Sequence, residues 1–225
     1  MNSLDTRAFR GLVFLILVTA ALIFLPAGTL DYWQAWVFLT IYFLASLAVT
    51  LYLMKYDRAL LERRMRGGPA AEKQSDQKII MAFASVGFVG LLFIPGLDRR
   101  FGWSHMPGYI ALAGDAFELI GWLGIFFVFL ENTFGSATIE LAADQKVISS
   151  GPYALMRHPM YASGLVMLAG IPIALGSWWG LLALAALLPA IVSRLLNEEE
   201  FLVKNLPGYA AYRVTTPWRL IPLIW

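Results

Sequence analysis

Residues 151–164, GPYALMRHPMYASG, open a long apolar stretch that closes with RLLNEEE at residues 194–200. Between Arg157 and Arg194, residues 158–193 form 36 consecutive positions without Asp, Glu, Lys or Arg. A straight helix of that length would reach about 54 Å, whereas the hydrocarbon core of a bilayer is roughly 30 Å thick. The stretch must therefore fold back on itself as a helical hairpin.

The reversal is predicted at Gly176-Ser177. Glycine is free of the constraint that a Cβ imposes on the backbone, and Pro172 weakens the helix four residues earlier. Each arm is then about 18 residues long, which is just enough to cross a bilayer once. We therefore predict a hairpin over residues 158–196.

A hairpin returns its first and last residues to one face of the membrane, on helix axes about 8 to 10 Å apart. Arg157, His158 and Tyr161 should consequently meet Arg194 and Glu198. This meeting of polar side chains at one membrane surface is the candidate active site.

The composition is that of a membrane protein. Hydrophobic residues make up 59% of the 225 residues, which is too many for an ordinary soluble domain. The absence of cysteine excludes disulfides, a thiolate zinc site and a Cys nucleophile, and only His105 and His158 remain as imidazole ligands, so we predict no metal site. A net charge of +2 is too small to indicate a nucleic-acid partner.

Four further uncharged or nearly uncharged stretches reach spanning length, and with the hairpin they predict an all-α, polytopic helical bundle of about six spans. These stretches are Gly11–Leu30, Tyr32–Met54, Ile79–Leu97 and, less regularly, Pro107–Leu130. The first is read as a retained span because it lacks a clear small-residue cleavage site. The hydrophilic segment 55–78, centred on RALLERRMRGGP, predicts a short surface helix that ends at its glycines.

The distribution of basic residues orients this bundle. With six spans, 15 of the 17 Lys and Arg residues fall on one side, and only Arg99 and Arg100 lie opposite. By the positive-inside rule, the first side is cytosolic and carries both termini, segment 55–78 and the candidate site. We expect an integral membrane protein, in the inner (cytoplasmic) membrane if it is bacterial. Residues 1–130 would form N-terminal transmembrane helices, and residues 131–225 the core that holds the site.

Asp115 and Glu118 lie three residues apart on one face of the fourth span. Ionisable groups within a membrane helix usually face a cavity or a partner, which would suit an acid or proton-relay site. We favour the simpler interpretation that both acids lie near an interface or pair with Arg99 or Arg100.

The two ends of the hairpin suit ligands of opposite charge. Pro159 suits the first turn of a helix, whose free amides and positive dipole end can hold a carboxylate or phosphate. At the other end, Arg194 and Glu198 share one helix face, and the acids at 198–200 oppose the helix dipole, so a bound cation would compensate for them. The alternatives are an interfacial anchor at the first end and an intrahelical ion pair at the second.

These patterns, together with NTFGSATIE, QKVISSGPY and the tail LPGYAAYRVTTPWRLIPLIW, resemble the isoprenylcysteine carboxyl methyltransferase family of integral membrane enzymes and the related phospholipid methyltransferases. The resemblance covers about residues 131–225. It implies methyl transfer from S-adenosyl-L-methionine, bound in a cytosol-facing pocket, to a lipophilic or prenylated acceptor that enters from the surrounding membrane lipids.

The resemblance also implies roles for individual residues. The implied cofactor-binding set is Gln145, Lys146, Val147, Ile148, Tyr153, His158, Pro159, Met160, Tyr161 and Glu198 or Glu199. Glu198 is preferred to Glu199 because of its spacing from Arg194. Arg194 matches the arginine placed to hold the acceptor's carboxylate. Arg157 suits an anion as well, so the two arginines form the predicted catalytic set. The aromatic tail predicts a cap that closes the pocket.

Several alternatives remain open from the sequence. The acceptor could be the carboxylate of an isoprenylcysteine-like or isoprenoid compound, a phospholipid amine or a small thiol, and the oligomeric state is not indicated. A looser likeness to membrane sterol reductases leaves an NADPH-dependent reductase as a second function. A non-enzymatic scaffold or transporter that uses Asp115 and Glu118 is the third, although no internal repeat supports it.

Overall fold

The computed structural model describes residues 3–72, 74–142 and 144–225, and within them the chain is all-helical, as predicted. The helices are α1 (Ser3–Ala27), α2 (Trp33–Tyr56), α3 (Arg58–Met65), α4 (Ser75–Phe101), α5 (Gly108–Glu131), α6 (Pro159–Ala174), α7 (Gly180–Asn205) and α8 (Tyr209–Thr215). Short 3-10 turns occur at Pro69–Ala71 and Gly151–Ala154. Every predicted span corresponds to one of these helices.

Among the described residues, five helices are long and apolar enough to cross a membrane, namely α1, α2, α4, α5 and α7. The sixth apolar helix, α6, has 16 residues and is therefore about 24 Å long. It is shorter than the 18-residue arm expected from the sequence because Leu175 and Gly176 already belong to the turn.

The hairpin reversal lies where the sequence predicts it. Gly176 adopts a positive φ of 72°, a conformation that costs little only without a Cβ. The amide of Ser177 then donates to the carbonyl oxygen of Pro172 at 2.8 Å, and the Ser177 Oγ accepts from the amide of Gly180 at 3.0 Å. The turn thus satisfies the backbone groups that the end of α6 and the start of α7 leave open.

Asp98 ties this turn to the neighbouring loop. Its carboxylate accepts from the Ser177 Oγ at 2.5 Å and from both the amide and the Oγ of Ser104 at 2.6 Å. Asp98 is 2% exposed, so its charge is stabilised by these donors instead of by water. The end of the bundle opposite the candidate site is closed by this cluster.

Helices α5 and α6 pack closely along their length. A Cβ at Gly114 would lie 2.6 Å from the carbonyl carbon of Ile173, closer than any real Cβ contact. The absence of side chains along this line lets the two backbones approach, as in other tightly packed membrane helices. This contact holds α6, and with it the start of the hairpin, firmly against α5.

Asp115 and Glu118 do not lie where we expected them. Both are buried within the bundle, at 4% and 0% exposure, instead of near an interface. Arg99 donates to the carbonyl oxygen of Asp31, and Arg100 lies over the ring of Phe101, so neither arginine is their partner. The sequence-based interpretation fails because α5 turns this face inward toward α6.

The predicted surface helix is α3, which begins at the cap Asp57, whose carboxylate accepts from the amide of Leu60 at 2.9 Å. Arg66 and Glu62 form an i, i+4 ion pair at 2.6 Å. However, Leu60 and Leu61 are buried at 0% and 5% exposure, so α3 packs against the bundle and does not merely lie on it. This packing turns the helix face that carries Arg64 toward the candidate site.

Candidate active site

A cavity of about 570 Å³ lies at the end of the bundle where α6 begins and α7 ends. Its volume is within the usual range for small-molecule sites, about 300 to 1,000 Å³. Twelve residues predicted for the site line it: Gln145, Lys146, Val147, Ile148, Tyr153, Arg157, His158, Pro159, Met160, Tyr161, Arg194 and Glu198. Glu199 is not among the lining residues. The hairpin therefore brings its two polar ends together around a single space.

The start of α6 is held by the C-terminal tail. His158 is the N-cap and Pro159 the first helical residue, so the amides of the first turn have no partner within the helix. The amides of Arg157 and His158 donate at 2.9 Å to the carbonyl oxygens of Trp218 and Arg219. The tail thus fixes the direction in which α6 enters the bundle.

His158 is a buried, unpaired imidazole. It is 4% exposed, and its ring lies edge-on to that of Tyr161, with centroids 5.7 Å apart. Its Nε2 has no hydrogen-bond partner among the described residues, and the nearest carboxylate oxygen, on Glu199, is 3.9 Å away. Desolvation lowers the pKa of His158, an effect that the nearby glutamates only partly offset. At neutral pH the side chain is therefore an uncharged group available to a ligand.

Glu198 presents a carboxylate to the cavity. Its Oε2 accepts a hydrogen bond of 2.5 Å from the hydroxyl of Tyr161, which joins the first turn of α6 to the last turns of α7. Both residues line the cavity. The pair places a negative charge close to the unpaired imidazole, on a surface able to receive a cation.

Glu199 has a different environment from its neighbour because successive residues on a helix point about 100° apart. It is 3% exposed, and Arg157 and Arg219 contact its carboxylate at 2.5 and 2.8 Å. Arg213 lies 3.7 Å from it. Of the two glutamates proposed for the cofactor, Glu198 faces the cavity and Glu199 binds the C-terminal tail.

Arg194 is already paired. Its Nη1 lies 2.7 Å from the carboxylate of Glu72, and its Nη2 donates to the carbonyl oxygen of Ala137 at 2.9 Å. Glu72 is 4% exposed and comes from the connection between α3 and α4. The structure therefore gives Arg194 a distant partner in place of the i, i+4 pair with Glu198 that was the simpler interpretation of the sequence.

Three contributors to the site were missed from the sequence, namely Arg64, Glu72 and Asn132. Asn132 donates to the Tyr153 hydroxyl at 2.7 Å and lines the cavity beside it. Arg64 and Glu72 belong to segment 55–78, whose polarity was interpreted only as that of a solvated surface. The adjacent apolar residues Leu60 and Leu61, in a helix that is otherwise mostly charged, are the local sequence signal that α3 packs inward.

Tyr153 is fixed from two sides. Its hydroxyl accepts the bond from Asn132, and its carbonyl oxygen accepts from the Tyr212 hydroxyl at 2.6 Å. Burial raises the pKa of Tyr153 to about 12. Its hydroxyl therefore stays protonated at physiological pH and cannot serve as a general base.

The cavity is polar at the α6 start and apolar farther into the bundle. The apolar lining comes from four helices, with Met81 and Phe88 on α4, Ile125 on α5, Leu165 and Leu168 on α6 and Ile191 on α7. Tyr209 and Tyr212 of α8 also line it and are buried at 4% and 6% exposure. The space is suited to a ligand with a polar head and a hydrophobic part.

Comparison with known proteins identifies a related family. Residues 109–207 match the family model described as phospholipid methyltransferase, which confirms the family resemblance seen in the sequence. The match includes α5, α6 and α7, and so most of the cavity. The cobalt-zinc-cadmium resistance protein CzcN of Cupriavidus metallidurans is 29% identical over 106 residues, which are 44% of this chain and 46% of that protein. The chain thus spans about half the length of this relative.

Proposed function

We propose that this chain, whose residues 109–207 match the phospholipid methyltransferase family model, transfers a methyl group from S-adenosyl-L-methionine to a lipophilic acceptor. The observation that carries the proposal is the cavity itself. It joins Glu198 and the unpaired Nε2 of His158 at one end to apolar side chains of four helices at the other. One space therefore offers a polar end to the cofactor and an apolar end to a hydrophobic acceptor.

The residues present fit this cofactor, which carries a sulfonium, an ammonium and a carboxylate. Glu198 offers a carboxylate to a cation, and the open amides at the start of α6 offer donors to an anion. The unpaired Nε2 of His158 is a buried polar atom that a ligand would satisfy. The backbone and side chains of residues 145–148 complete the wall.

When bound, the cofactor supplies an electrophilic methyl group, whose carbon–sulfur bond breaks as a bond to the acceptor's O, S or N atom forms, leaving a neutral thioether. The protein's part is to hold the acceptor in line with that methyl and to exclude water. An ionised carboxylate or thiolate already holds its lone pair, so no residue has to act as a base. The inability of Tyr153 to do so is consistent with this mechanism.

The acceptor that we favour is the carboxylate of an isoprenylcysteine-like or isoprenoid compound. The cationic side chains that line the polar end of the cavity, Arg64 among them, support an anionic head, and the apolar interior supports a hydrocarbon tail. A phospholipid amine is the second candidate, and the description of the matching family supports it. On the positive-inside argument, we propose that the cavity and both termini face the cytosol, where the cofactor is available.

Cofactor binding tests the proposal directly. Calorimetry on the purified chain in detergent should show saturable binding of S-adenosyl-L-methionine. Glu198→Ala and His158→Ala should each weaken this binding at least about tenfold, because each removes a charged or buried hydrogen bond worth about 1.4 kcal/mol or more. Glu200→Ala is the matched control because Glu200 is exposed and pairs with Lys204. Unchanged affinity in both site variants would refute the residue assignment.

A second titration separates the alternative functions. Binding of NADPH without binding of S-adenosyl-L-methionine would select the reductase, and binding of neither would leave the non-enzymatic role. Incubation of membranes with methyl-labelled cofactor, followed by separation of lipid and protein fractions, would then identify the acceptor. Mild base releases the label of a methyl ester as volatile methanol, which indicates a carboxylate acceptor, whereas a lipid label that stays non-volatile after base treatment indicates an amine.

A further inference from the structure

Two residues outside the family-matched range bring charge to the cavity. Arg64 on α3 lines it, and Glu72, in the connection that follows α3, contacts Arg194 at its wall. Both are supplied by the connection between α2 and α4, and neither lies within residues 109–207. The charge of this site is therefore determined partly by a segment that the family match does not cover.

The cationic side chains of the cavity differ in what neutralises them. Arg157 is paired with Glu199 at 2.5 Å, and Arg194 with Glu72 at 2.7 Å. Lys146 is exposed, so water solvates it. Arg64 is only partly exposed, and in the described part of the chain it donates to the carbonyl oxygen of Ser136 at 2.9 Å without an ion pair to any carboxylate.

The surroundings of Arg64 favour an anion. Its guanidinium lies 5.4 Å from the ring centroid of Phe129, and the bond to Ser136 occupies only one of its five N–H donors. Arg64 is one of the residues that line the cavity. A partly desolvated guanidinium with donors to spare is a favourable partner for a carboxylate or phosphate, which can accept two parallel bonds.

We infer that Arg64 binds the anionic group, a carboxylate or a phosphate, of the lipophilic acceptor, and that Glu72 directs this group to Arg64 by neutralising Arg194. The inference rests on the proposed function and deepens it. It assigns the acceptor a negative charge and identifies the guanidinium that receives it.

The charge balance supports the inference. Among the charged side chains that line the cavity, Arg64 and Lys146 offset Glu140 and Glu198, and Glu199 and Glu72 offset Arg157 and Arg194. The cofactor would add one net positive charge because its two cationic groups outnumber its single carboxylate. An acceptor with one negative charge would restore neutrality, which matters most where a low dielectric strengthens each interaction.

The test measures binding instead of turnover. The full chain in dodecyl maltoside would first be saturated with sinefungin, an analogue that keeps the cofactor's net positive charge but transfers no methyl. It would then be titrated with three amphiphiles of equal chain length. These are dodecyl phosphate, dodecanoate and dodecanol. At least one anion should bind at least about tenfold more tightly than the neutral alcohol. Preference for the phosphate would indicate a phospholipid source, and preference for the carboxylate an acid acceptor.

Variants test which residue causes the preference for the anion. Arg64→Gln should reduce the preference for the anion to within about twofold of dodecanol while sinefungin still binds. Arg66→Gln is the matched control, because Arg66 lies two residues farther along at the exposed C-cap of α3 and pairs with Glu62, and it should keep the wild-type preference. Glu72→Gln, which frees Arg194, should increase anion affinity severalfold, and it tests the idea even if Arg64→Gln does not fold.

The results distinguish failure of this inference from failure of the proposed function. If the wild-type chain binds sinefungin but Arg64→Gln keeps the preference for the anion, the role of Arg64 is overturned and the proposed function stands. If Glu72→Gln gains no affinity, the neutralisation of Arg194 by Glu72 is overturned, and the inference as stated falls while the proposed function stands. If Arg64→Gln loses sinefungin and keeps the preference, the guanidinium serves the cofactor and the inference is likewise overturned. If the wild-type chain binds neither sinefungin nor S-adenosyl-L-methionine, the proposed function falls and the inference with it.

Discussion

The Nε of Arg157 and the Oε1 of Glu199 lie 2.5 Å apart, and both side chains are only 4% exposed. The bond joins the residue before the N-cap of α6 to the last turns of α7, and Arg219 of the tail contacts the same carboxylate at 2.8 Å. It therefore links three segments that surround the cavity. A buried ion pair of this kind is costly to break on one side because it leaves an unpaired charge.

Glu199→Gln should destabilise the protein by about 3 kcal/mol or more, because it leaves Arg157 buried without its counter-charge. Thermal unfolding in detergent should show a clearly lower midpoint. Glu200→Gln is the control, since Glu200 is exposed and pairs only with Lys204, and its midpoint should match the wild type. Equal midpoints for the two variants would show that the buried pair does not hold the tail.

Acidification should destabilise the protein through His158. Burial lowers the pKa of this imidazole in the folded chain, so below the ordinary value of about 6.5 the unfolded chain takes up a proton that the folded chain does not. The stability present above that pH is thus lost as the pH falls from about 7 toward the folded pKa. Nearby Glu198, Glu199, Arg157 and Arg219 modulate the shift.

The measurement is the unfolding midpoint at several pH values between 7.5 and 5, a range of roughly one unit or more on each side of the ordinary histidine pKa of about 6.5. His158→Asn should decline less steeply than the wild type over this range. His105→Asn, which changes an exposed loop residue, should decline as the wild type does. Parallel curves for the wild type and His158→Asn would contradict the assignment.

Gly114→Ala should destabilise the α5–α6 contact, because the new Cβ would lie 2.6 Å from the backbone of Ile173 and the helices would have to separate. Overpacking of this kind typically costs about 1 to 3 kcal/mol. Gly11→Ala on α1 is the control, since a Cβ there meets nothing within 4 Å. A stable Gly114→Ala variant would show that the close approach is not required.

Asp98→Asn should destabilise the end of the bundle away from the cavity. One of its acceptor oxygens becomes a donor facing hydroxyls that already donate to it, which costs about 1 to 3 kcal/mol. Cofactor affinity should be unchanged because the cluster does not line the cavity. Asp76→Asn, an exposed residue in the first turn of α4, is the control for loss of charge. A loss of affinity without a loss of stability would contradict this separation.

Much of the architecture could be predicted because the thickness of the membrane sets the length of each spanning helix. The uncharged run 158–193 exceeds a single crossing, so the turn at Gly176 and the meeting of Arg157 with Arg194 followed from helix geometry alone. The preference for Glu198 over Glu199 rested on residue spacing, and the structure turns Glu198 toward the cavity. Residue spacing and span length allow such predictions because they depend only on residues within one helix or one hairpin.

The sequence by itself thus determined the helices, their order and the end of the bundle at which the polar side chains gather. Only the tertiary structure decided which charges pair: Glu72 with Arg194, Glu199 with Arg157 and Arg219, and Arg64 with no carboxylate among the described residues. It also decided that Asp115 and Glu118 are buried. Helix periodicity and span length are local properties of the chain, whereas the partner of a charge depends on how segments far apart in sequence pack against each other.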